Sequence, residues 1–260
     1  MLPRPSGIVT LLTDFGTADP YVAVMKGMVL RQNPKAVLID LGHEVLPQDV
    51  TDGAFWLAAA IDRFPAGTVH VAVVDPGVGT DRRLLAAAAH EAYWLAPDNG
   101  LLGHVLARDP AADVRAIDLD HLNLRPASRT FHGRDVFAPV AGWLSGGRYS
   151  FTALGARATG LAMAADAMAG APRVVHVDGF GNLITNVPAA ALTGISTVRI
   201  AGAEIAVHGA YADVPEGALL ALVGSYGLLE IAANRGSAAK TLGAGRGAPV
   251  ELRPQPSERR

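Results

Sequence analysis

Residues 71–83 read VAVVDPGVGTDRR, an apolar run that stops at an acid, a rigid turn and two cations. The run over residues 71–74 is rich in valine and lacks alternation, which predicts a central strand buried on both faces. In open parallel sheets, ligand crevices form at the carboxyl ends of the strands, which is where Asp75 stands. Two glycines let the loop adopt conformations closed to other residues. The stretch predicts a loop that holds Asp75 near Arg82, although an ordinary strand exit with a solvated ion pair has the same pattern.

The composition limits the classes of protein to consider. The chain has 260 residues, half of them apolar, and a formal net charge of −2, which suits one large or two modest domains with a proper core. No basic cluster occurs, so neither nucleic acid nor an anionic membrane is expected as a partner. Cysteine is absent, which excludes disulfides and thiolate catalysis. No signal peptide or apolar stretch of membrane-spanning length is visible, and we expect a cytoplasmic protein.

The first part of the chain alternates strand and helix patterns. The patterns predict strands over residues 8–12, 36–41, 68–74, 90–95 and 114–119, and helices over residues 21–32, 49–64, 101–108 and 136–144, the last with Asp135 as its N-cap. Alternation of this kind is typical of right-handed βαβ units. We therefore expect an N-terminal α/β domain over residues 1–165 with a central, mostly parallel sheet.

The rest of the chain has a different pattern, with short strands at close spacing separated mostly by glycine-bearing turns. Strands are predicted over residues 174–178, 197–200, 204–207, 218–223, 228–232 and 249–252. This predicts a smaller C-terminal β-barrel or sandwich domain over residues 172–254. The domain boundary is expected within residues 155–172, and residues 255–260 are expected to form a mobile tail.

Three acids at predicted strand ends, Asp14, Asp75 and Asp98, are expected to cluster at one sheet edge with His132, which stands on a glycine-flanked loop. A metal site is disfavoured because the eight histidines are scattered without HxH or HExxH spacing, and Arg82 repels a cation. A serine hydrolase is disfavoured because no G-x-S-x-G elbow occurs, and no Walker loop is present. Taken alone, His132 is most simply a structural or capping histidine.

The chain nevertheless resembles the S-adenosyl-L-methionine hydroxide adenosyltransferases, a family related to the fluorinating and chlorinating enzymes. The resemblance covers nearly the whole chain and rests on seven ordered blocks: TDFG (13–16), HE (43–44) with PQDV (47–50), DPGVGT (75–80) with RR (82–83), PDNG (97–100), FHGRD (131–135), DGFGN (178–182) with TN (185–186), and GSYG (224–227) with Glu230. Seven blocks in order are far more specific than any one of them.

The resemblance implies an N-terminal α/β domain and a C-terminal β-barrel. It also implies a homotrimer whose active sites lie between the N-terminal domain of one subunit and the C-terminal domain of its neighbour. In that family an Asp, an Arg and a His activate water, and they fall here on Asp75, Arg82 and His132. The halogenating relatives lack this set and carry a long insertion after the equivalent loop, whereas residues 83–98 are short here. Both features favour water as the nucleophile.

The same resemblance implies how S-adenosyl-L-methionine is bound. One carboxylate accepts hydrogen bonds from both ribose hydroxyls, and Asp14 resembles the family's residue for that task. The other candidates are Phe180 and Asn182 for the adenine, Asp178 and Glu230 for the ammonium group, and Ser225 for the carboxylate. Tyr226 stands where the halogenating relatives have a basic residue, so this chain departs from their pattern of carboxylate recognition.

The resulting hypothesis is a hydrolase that converts S-adenosyl-L-methionine and water to adenosine and L-methionine without a metal or a further cofactor. The proton acceptor is left open between Asp75 and His132. One alternative is a halide-using 5′-halo-5′-deoxyadenosine synthase. A second is a non-catalytic adenosyl-ligand binding protein, in which Asp75, Arg82 and His132 form a structural ion-pair network.

Overall fold

The computed structural model describes residues 2–162 and 168–254. The chain divides into two compact units, Met1–Asp166 and Ala167–Arg260. The predicted mobile tail over residues 255–260 lies outside the described residues, as do residues 163–167 of the predicted boundary segment. No helix in the described part of the chain is long and apolar enough to cross a membrane.

The first unit alternates strands and helices as the sequence predicts, except over residues 69–97, where three strands follow one another without a helix. Its elements are β1 (Ile8–Thr13), α1 (Tyr21–Gln32), β2 (Val37–Gly42), α2 (Val50–Ala58), β3 (Val69–Val73), β4 (Leu84–Ala89), β5 (Ala92–Pro97), α3 (Gly103–Ala107), β6 (Asp113–Ala116) and α4 (Ala138–Ser145). A π-helical turn, Gly133–Phe137, leads into α4. The mixed α/β class of this unit is confirmed.

The six strands form one mixed sheet in the order β2-β1-β3-β5-β4-β6. Parallel pairing joins β2, β1, β3 and β5. Strand β4 runs antiparallel to both of its neighbours, β5 and β6. The sequence analysis assigned no element to residues 84–89, because LLAAAA has neither alternation nor β-branched residues. The sheet is therefore parallel only in part.

Both faces of the sheet are covered, which explains the unbroken apolar run before Asp75. Val71 and Val73 pack with α1 and α4 on one face. Ala72 and Val74 pack with α2 and α3 on the other. Every residue of β3 is buried, and full burial of an aliphatic side chain contributes about 1.5–3 kcal/mol. The prediction of a central buried strand is confirmed.

The N-cap prediction for Asp135 is wrong. Asp135 lies inside the π-helical turn, where its Oδ2 accepts the N–H of Ser128 at 2.8 Å. Its carboxylate also accepts two hydrogen bonds from Arg134. The helical backbone begins earlier than the hydrophobic pattern indicates, so Asp135 braces the preceding loop instead of capping α4.

The second unit consists of short strands and one short helix. Its elements are β7 (Val174–Val177), β8 (Leu183–Pro188), β9 (Ile195–Ile200), β10 (Ala203–Ala206), β11 (Leu219–Val223), β12 (Leu228–Ala233), α5 (Ala238–Leu242) and β13 (Glu251–Pro254). They form two antiparallel sheets, β10-β9-β13 and β11-β12-β8-β7, with single bridges at Val207–Ala221 and Arg173–Pro249. The pairing over residues 168–254 shows two separate sheets, and closure into a barrel stays a prediction.

A buried histidine on β3 gives the first unit a pH-dependent stability. His70 is 1% exposed, its Nδ1 lies 2.8 Å from Oγ1 of Thr10, and its ring stacks on Trp94 at 4.1 Å between centroids. Burial lowers the pKa of His70 to about 3, because the interior penalises the charged ring.

We predict that this histidine destabilises the fold in acid. The unfolded chain binds a proton at His70 near its ordinary pKa of about 6.5, while the folded chain does not until about pH 3. The contribution of His70 to the free energy of unfolding is thus fully present above the unfolded pKa. It falls as the pH drops from about 6.5 towards about 3, by up to about 1.4 kcal/mol per pH unit. Urea unfolding at several pH values should show a shallower acid slope for His70→Gln than for the parent. Equal slopes contradict the prediction.

Candidate active site

The side chains of Asp75 and Arg82 form a buried ion pair at the carboxyl edge of the sheet. Asp75 follows β3, Arg82 precedes β4, and the loop between them turns tightly, with Val78 donating its N–H to the Asp75 carbonyl. Nε of Arg82 donates to Oδ1 of Asp75 at 2.6 Å, and Nη2 donates to Oδ2. The side chain of Arg82 is 8% exposed and that of Asp75 is 5% exposed. A two-pronged pair of this kind fixes the guanidinium plane.

His132 joins this pair from a different loop. Its Nδ1 lies 3.1 Å from Nη2 of Arg82. Because arginine only donates, Nδ1 accepts, and the neutral ring carries its hydrogen on Nε2. Burial and the nearby Arg82 lower the pKa of His132, against smaller opposing effects of Asp75 and Asp135. His132 is therefore neutral at neutral pH.

One nitrogen of Arg82 has no hydrogen-bond partner in the part of the chain that the structure describes. Nη1 is buried and has none among the described residues, whereas Nε and Nη2 are used by Asp75 and His132. A buried charged donor without an acceptor is costly. This donor suits an oxygen atom of a ligand or of water.

A cavity of about 470 Å³ opens beside Asp75 and His132, and Arg82 is not itself among the residues that line it. Asp75 and His132 line it together with Asp14, and an aromatic group formed by Phe15, Tyr21 and Phe131 lines one part of the wall. The three rings lie 5.5–5.8 Å apart, two of the pairs edge to face. A cavity of this size and mixed character is typical of small-molecule sites.

Asp14 is held by the loop that follows β2. Its Oδ2 accepts the backbone N–H of Gln48 at 2.7 Å. Gln48 has φ +64°, a conformation that non-glycine residues adopt infrequently and that often marks functional sites. The sequence analysis quoted Gln48 only as part of a block and did not identify its main-chain role.

Asp98, the third acid at a strand end, is not among the residues that line this cavity. Its Oδ2 accepts from Nε of Arg83 at 2.6 Å, and its Oδ1 accepts from the N–H of Ala162 at 2.8 Å. Arg83 also donates to the carbonyls of Thr159 and Gly160. Asp98 therefore anchors residues 159–162 and takes no part in the Asp75 cluster. Among the described residues, no three His, Asp or Glu side chains group as metal ligands.

In the second unit, Asp178 organises the turn between β7 and β8. Its Oδ1 accepts the N–H groups of Phe180 and Asn182, and its Oδ2 accepts Nδ2 of Asn182 at 2.9 Å. Asn182 is 6% exposed, whereas Phe180 is 82% exposed at the tip of the turn. The Phe180 ring is therefore exposed at the tip of a turn whose main chain is fixed by hydrogen bonds to Asp178.

Glu230 is buried on β12 and pairs with Tyr211. The Tyr211 hydroxyl donates to Oε1 of Glu230. Burial raises the pKa of Glu230, with Asp178 adding to the effect and Tyr211 opposing it. Burial likewise raises the pKa of Tyr226, with smaller contributions from Asp178 and Glu230.

A second cavity, of about 730 Å³, lies within this unit. Phe180 and Asn182 line it, with Tyr211 and Arg235. Asp178, Glu230 and Ser225 are not among its lining residues, and Ser225 is exposed in the turn between β11 and β12.

Sequence reasoning missed three aromatic residues of the first unit, Phe15, Tyr21 and Phe131, and Tyr211 of the second. Phe15 and Phe131 stand inside quoted blocks, and Tyr21 begins a predicted helix, so their positions were visible although their convergence was not. Tyr211 lies in a short 3₁₀ turn and carries no local signal that relates it to Glu230.

Comparison with known proteins identifies the class. Residues 9–155 match the family model for the SAM hydroxide adenosyltransferase N-terminal domain, and residues 172–251 match that for its C-terminal domain. Together the two matches span most of both compact units. The chain belongs to the SAM hydroxide adenosyltransferase family.

Individual relatives agree. An (R)-S-adenosyl-L-methionine hydrolase from Thermus thermophilus is 40% identical, over 94% of this chain and 98% of that relative. The crystal structure of an uncharacterized conserved protein from Thermotoga maritima has a TM-score of 0.87 at 36% identity, covering 94% of this chain and 99% of that one. A fluorinase from an Actinoplanes species is 27% identical, over 54% of this chain and 55% of its own length. The similarity to the hydrolase is thus higher and more extensive.

We predict that Gly79 is required where the loops of Asp75 and His132 meet. Gly79 has φ +83°, and a Cβ there meets the Arg129 carbonyl oxygen at 3.0 Å. Gly79→Ala should lower the free energy of unfolding by about 1–2 kcal/mol. Gly77→Ala is the matched control, because a Cβ at Gly77 finds only ordinary contacts from 3.5 Å outward and its φ is not left-handed. Equal denaturation midpoints for the two variants contradict the prediction.

Proposed function

We propose that this protein hydrolyses S-adenosyl-L-methionine at C5′ to adenosine and L-methionine. The observation that carries the proposal is the position of Arg82, which bridges the cavity-lining Asp75 and His132 and keeps one buried N–H unpaired. A water molecule supplies the acceptor that this donor lacks. Relatives named as (R)-S-adenosyl-L-methionine hydrolases, at 38–40% identity over most of the chain, support the same activity.

The substrate's own chemistry determines what the site must supply. The leaving group departs as a neutral thioether, so its expulsion needs neither a general acid nor a metal. Attack by water or hydroxide on a sulfonium disperses charge in the transition state, and bulk water stabilises the separated charges better. A largely apolar cavity wall such as Phe15, Tyr21 and Phe131 therefore lowers the barrier, and holding the reactants in line contributes further.

Asp75 is the proton acceptor in this proposal. His132 receives an Arg82 N–H at Nδ1 and carries a hydrogen at Nε2, so its neutral ring has no free lone pair to serve as a base. Each Asp75 oxygen keeps a second lone pair after binding Arg82. The attacking water becomes strongly acidic as the C–O bond forms, and a weak base such as a paired carboxylate then suffices. Arg82 holds the water through its buried Nη1 donor and favours the deprotonated form.

Substrate binding is proposed on the residues of both units. Asp14 accepts hydrogen bonds from the two ribose hydroxyls. The hydrogen bond that Gln48 donates to Asp14 supports this role, because it fixes the orientation of the carboxylate. Phe180 offers an exposed ring for the adenine, with Asn182 reading its edge. Asp178 and Glu230 supply negative charge for the ammonium group, and Ser225 a donor for the carboxylate. Tyr226, beside Ser225, takes the place of a cation.

The remaining expectations are proposed on the family resemblance. They are a homotrimer with active sites between subunits, activity without a metal or a further cofactor, and a cytoplasmic location. The 82% exposure of Phe180 supports the trimer, because a large exposed aromatic side chain that serves binding is normally covered in the assembled site.

We predict that incubation with S-adenosyl-L-methionine yields adenosine and L-methionine, detected by chromatography. In water enriched in heavy oxygen, the label should appear at the 5′ oxygen of adenosine, because water forms the new C–O bond. Chloride or fluoride should neither accelerate turnover nor give a 5′-halogenated nucleoside. A halogenated product favours the synthase alternative, and saturable binding with no product, with or without chelator, favours the binding protein.

We predict that Arg82→Lys lowers kcat by roughly 100-fold or more, because lysine keeps the charge but not the planar fork that serves Asp75, His132 and the nucleophile together. Arg83→Lys is the matched control, since Arg83 pairs with Asp98 outside the cavity wall. Thermal melts should establish that both variants fold. Equal activity of the two variants contradicts the role given to Arg82.

A further inference from the structure

The block His43-Glu44 contains a buried histidine that the proposed reaction does not use. His43 follows β2 and is 5% exposed. Its Nδ1 lies 2.9 Å from Oγ1 of Thr13, which is fully buried at the end of the neighbouring parallel strand β1. The buried His43 ring therefore pairs with Thr13, the residue that immediately precedes Asp14.

The main chain of His43 holds the other side of the same turn. Gly16 donates its N–H to the His43 carbonyl at 2.8 Å. Within the turn, Phe15 donates its N–H to Oγ1 of Thr13 at 3.2 Å. His43 thus binds Thr13 through its ring and Gly16 through its carbonyl, and Asp14 lies between these two attachment points.

The charged side chains of Asp40 and Lys26 lie behind the imidazole. Nε2 of His43 lies 2.9 Å from Oδ1 of Asp40, and Lys26 donates to Oδ2 of Asp40 at 2.7 Å. Burial by itself raises the pKa of Asp40, but its interactions with Lys26 and His43 outweigh it and the pKa is lowered. Asp40 is therefore a carboxylate within ion-pair distance of Nε2, although Nε2 makes no hydrogen bond of good geometry among the described residues. Nδ1 shares a hydrogen bond with the Thr13 hydroxyl.

The loop that starts at His43 also reaches the Asp14 carboxylate directly. Gln48, five residues further on, donates its N–H to Oδ2. The same loop is braced by Asp52, which is 1% exposed and accepts the N–H of Leu46. The loop therefore fixes Asp14 in two ways. The main chain of Gln48 binds the Asp14 carboxylate, and the ring and carbonyl of His43 hold the residues on either side of Asp14.

We propose that His43 is a positioning residue that holds the Asp14 carboxylate in the orientation needed to accept both ribose hydroxyls of the substrate. The inference rests on the proposed function, in which Asp14 binds the ribose. Without the imidazole, the Thr13 hydroxyl loses its buried partner, and residues 13–16 are held to the loop only through their attachments at Gly16 and Asp14. The carboxylate then rotates, and paired acceptance from a vicinal diol requires both oxygens in place at once.

The test compares S-adenosyl-L-methionine with its analogue that lacks the ribose 2′-hydroxyl. His43→Leu removes both ring nitrogens and keeps apolar bulk. We expect kcat/KM for the full substrate to fall roughly 10- to 100-fold, mostly through KM. The preference for the full substrate over the 2′-deoxy analogue should shrink as well, which a general loss of stability does not produce.

Conservative variants provide the controls. His43→Asn keeps an amide oxygen near the position of Nδ1 and should recover most of the preference for the 2′-hydroxyl. Thr13→Val removes the hydroxyl at constant volume, whereas Thr13→Ser retains it, so the first should resemble His43→Leu and the second the parent. If thermal melts show that His43→Leu does not fold, the test uses Thr13→Val and Thr13→Ser instead. The measurement is again the preference for the full substrate over the 2′-deoxy analogue.

A folded His43→Leu that keeps the full preference for the 2′-hydroxyl overturns the inference. Failure of the proposed function has a different signature, because the parent protein then makes no adenosine. In that event, calorimetric binding of adenosine and 2′-deoxyadenosine to the parent and to His43→Leu replaces turnover. An unchanged ratio of the two affinities overturns the positioning role.

Discussion

The buried ion pair between Arg82 and Asp75 is the interaction on which the candidate site depends. Its geometry follows from the direction of β4. Parallel strands β1 and β3 end at the edge that carries Asp14 and Asp75, and an antiparallel strand begins where its parallel neighbour ends, since Leu84 pairs with Pro97. The residues before β4 therefore lie at the ligand edge. Removing one partner of such a pair leaves an uncompensated buried charge, which typically costs about 3–5 kcal/mol.

The site surrounds its cavity with hydrogen-bond donors and neutral rings rather than with several charges. Arg82 directs donors at Asp75 and His132, and the latter stays neutral because burial and the guanidinium lower its pKa. The pair itself carries little net charge. In the proposed function, a cationic substrate therefore meets the aromatic wall and the carboxylate of Asp14. Asp14 is far along the chain from the groups proposed to handle the proton.

Sequence reasoning predicted the elements whose signals are local. Helix α1 and strand β3 were found because their apolar spacing is regular and their ends carry proline or glycine. Strand β4 was missed because a run of alanines favours no strand by itself, and only pairing on both sides makes it one. Asp75 and Arg82 are close in sequence, and their side chains were expected to lie near each other. Their contact with His132 depends on the path of a distant loop, which no local signal fixes. The sequence placed His132 at the same sheet edge, and the family resemblance implied its role beside Asp75 and Arg82.

The candidate residues divide between the two compact units in a way that has an evolutionary consequence. The groups proposed to select and activate the nucleophile, Asp75, Arg82 and His132, all belong to the first unit, whereas those proposed for the amino-acid end of the substrate, Asp178, Ser225 and Glu230, belong to the second. Under these proposed roles, a change of nucleophile involves substitutions in the first unit, and a change in the sulfonium tail involves substitutions in the second. The two specificities can therefore be altered separately in the sequence.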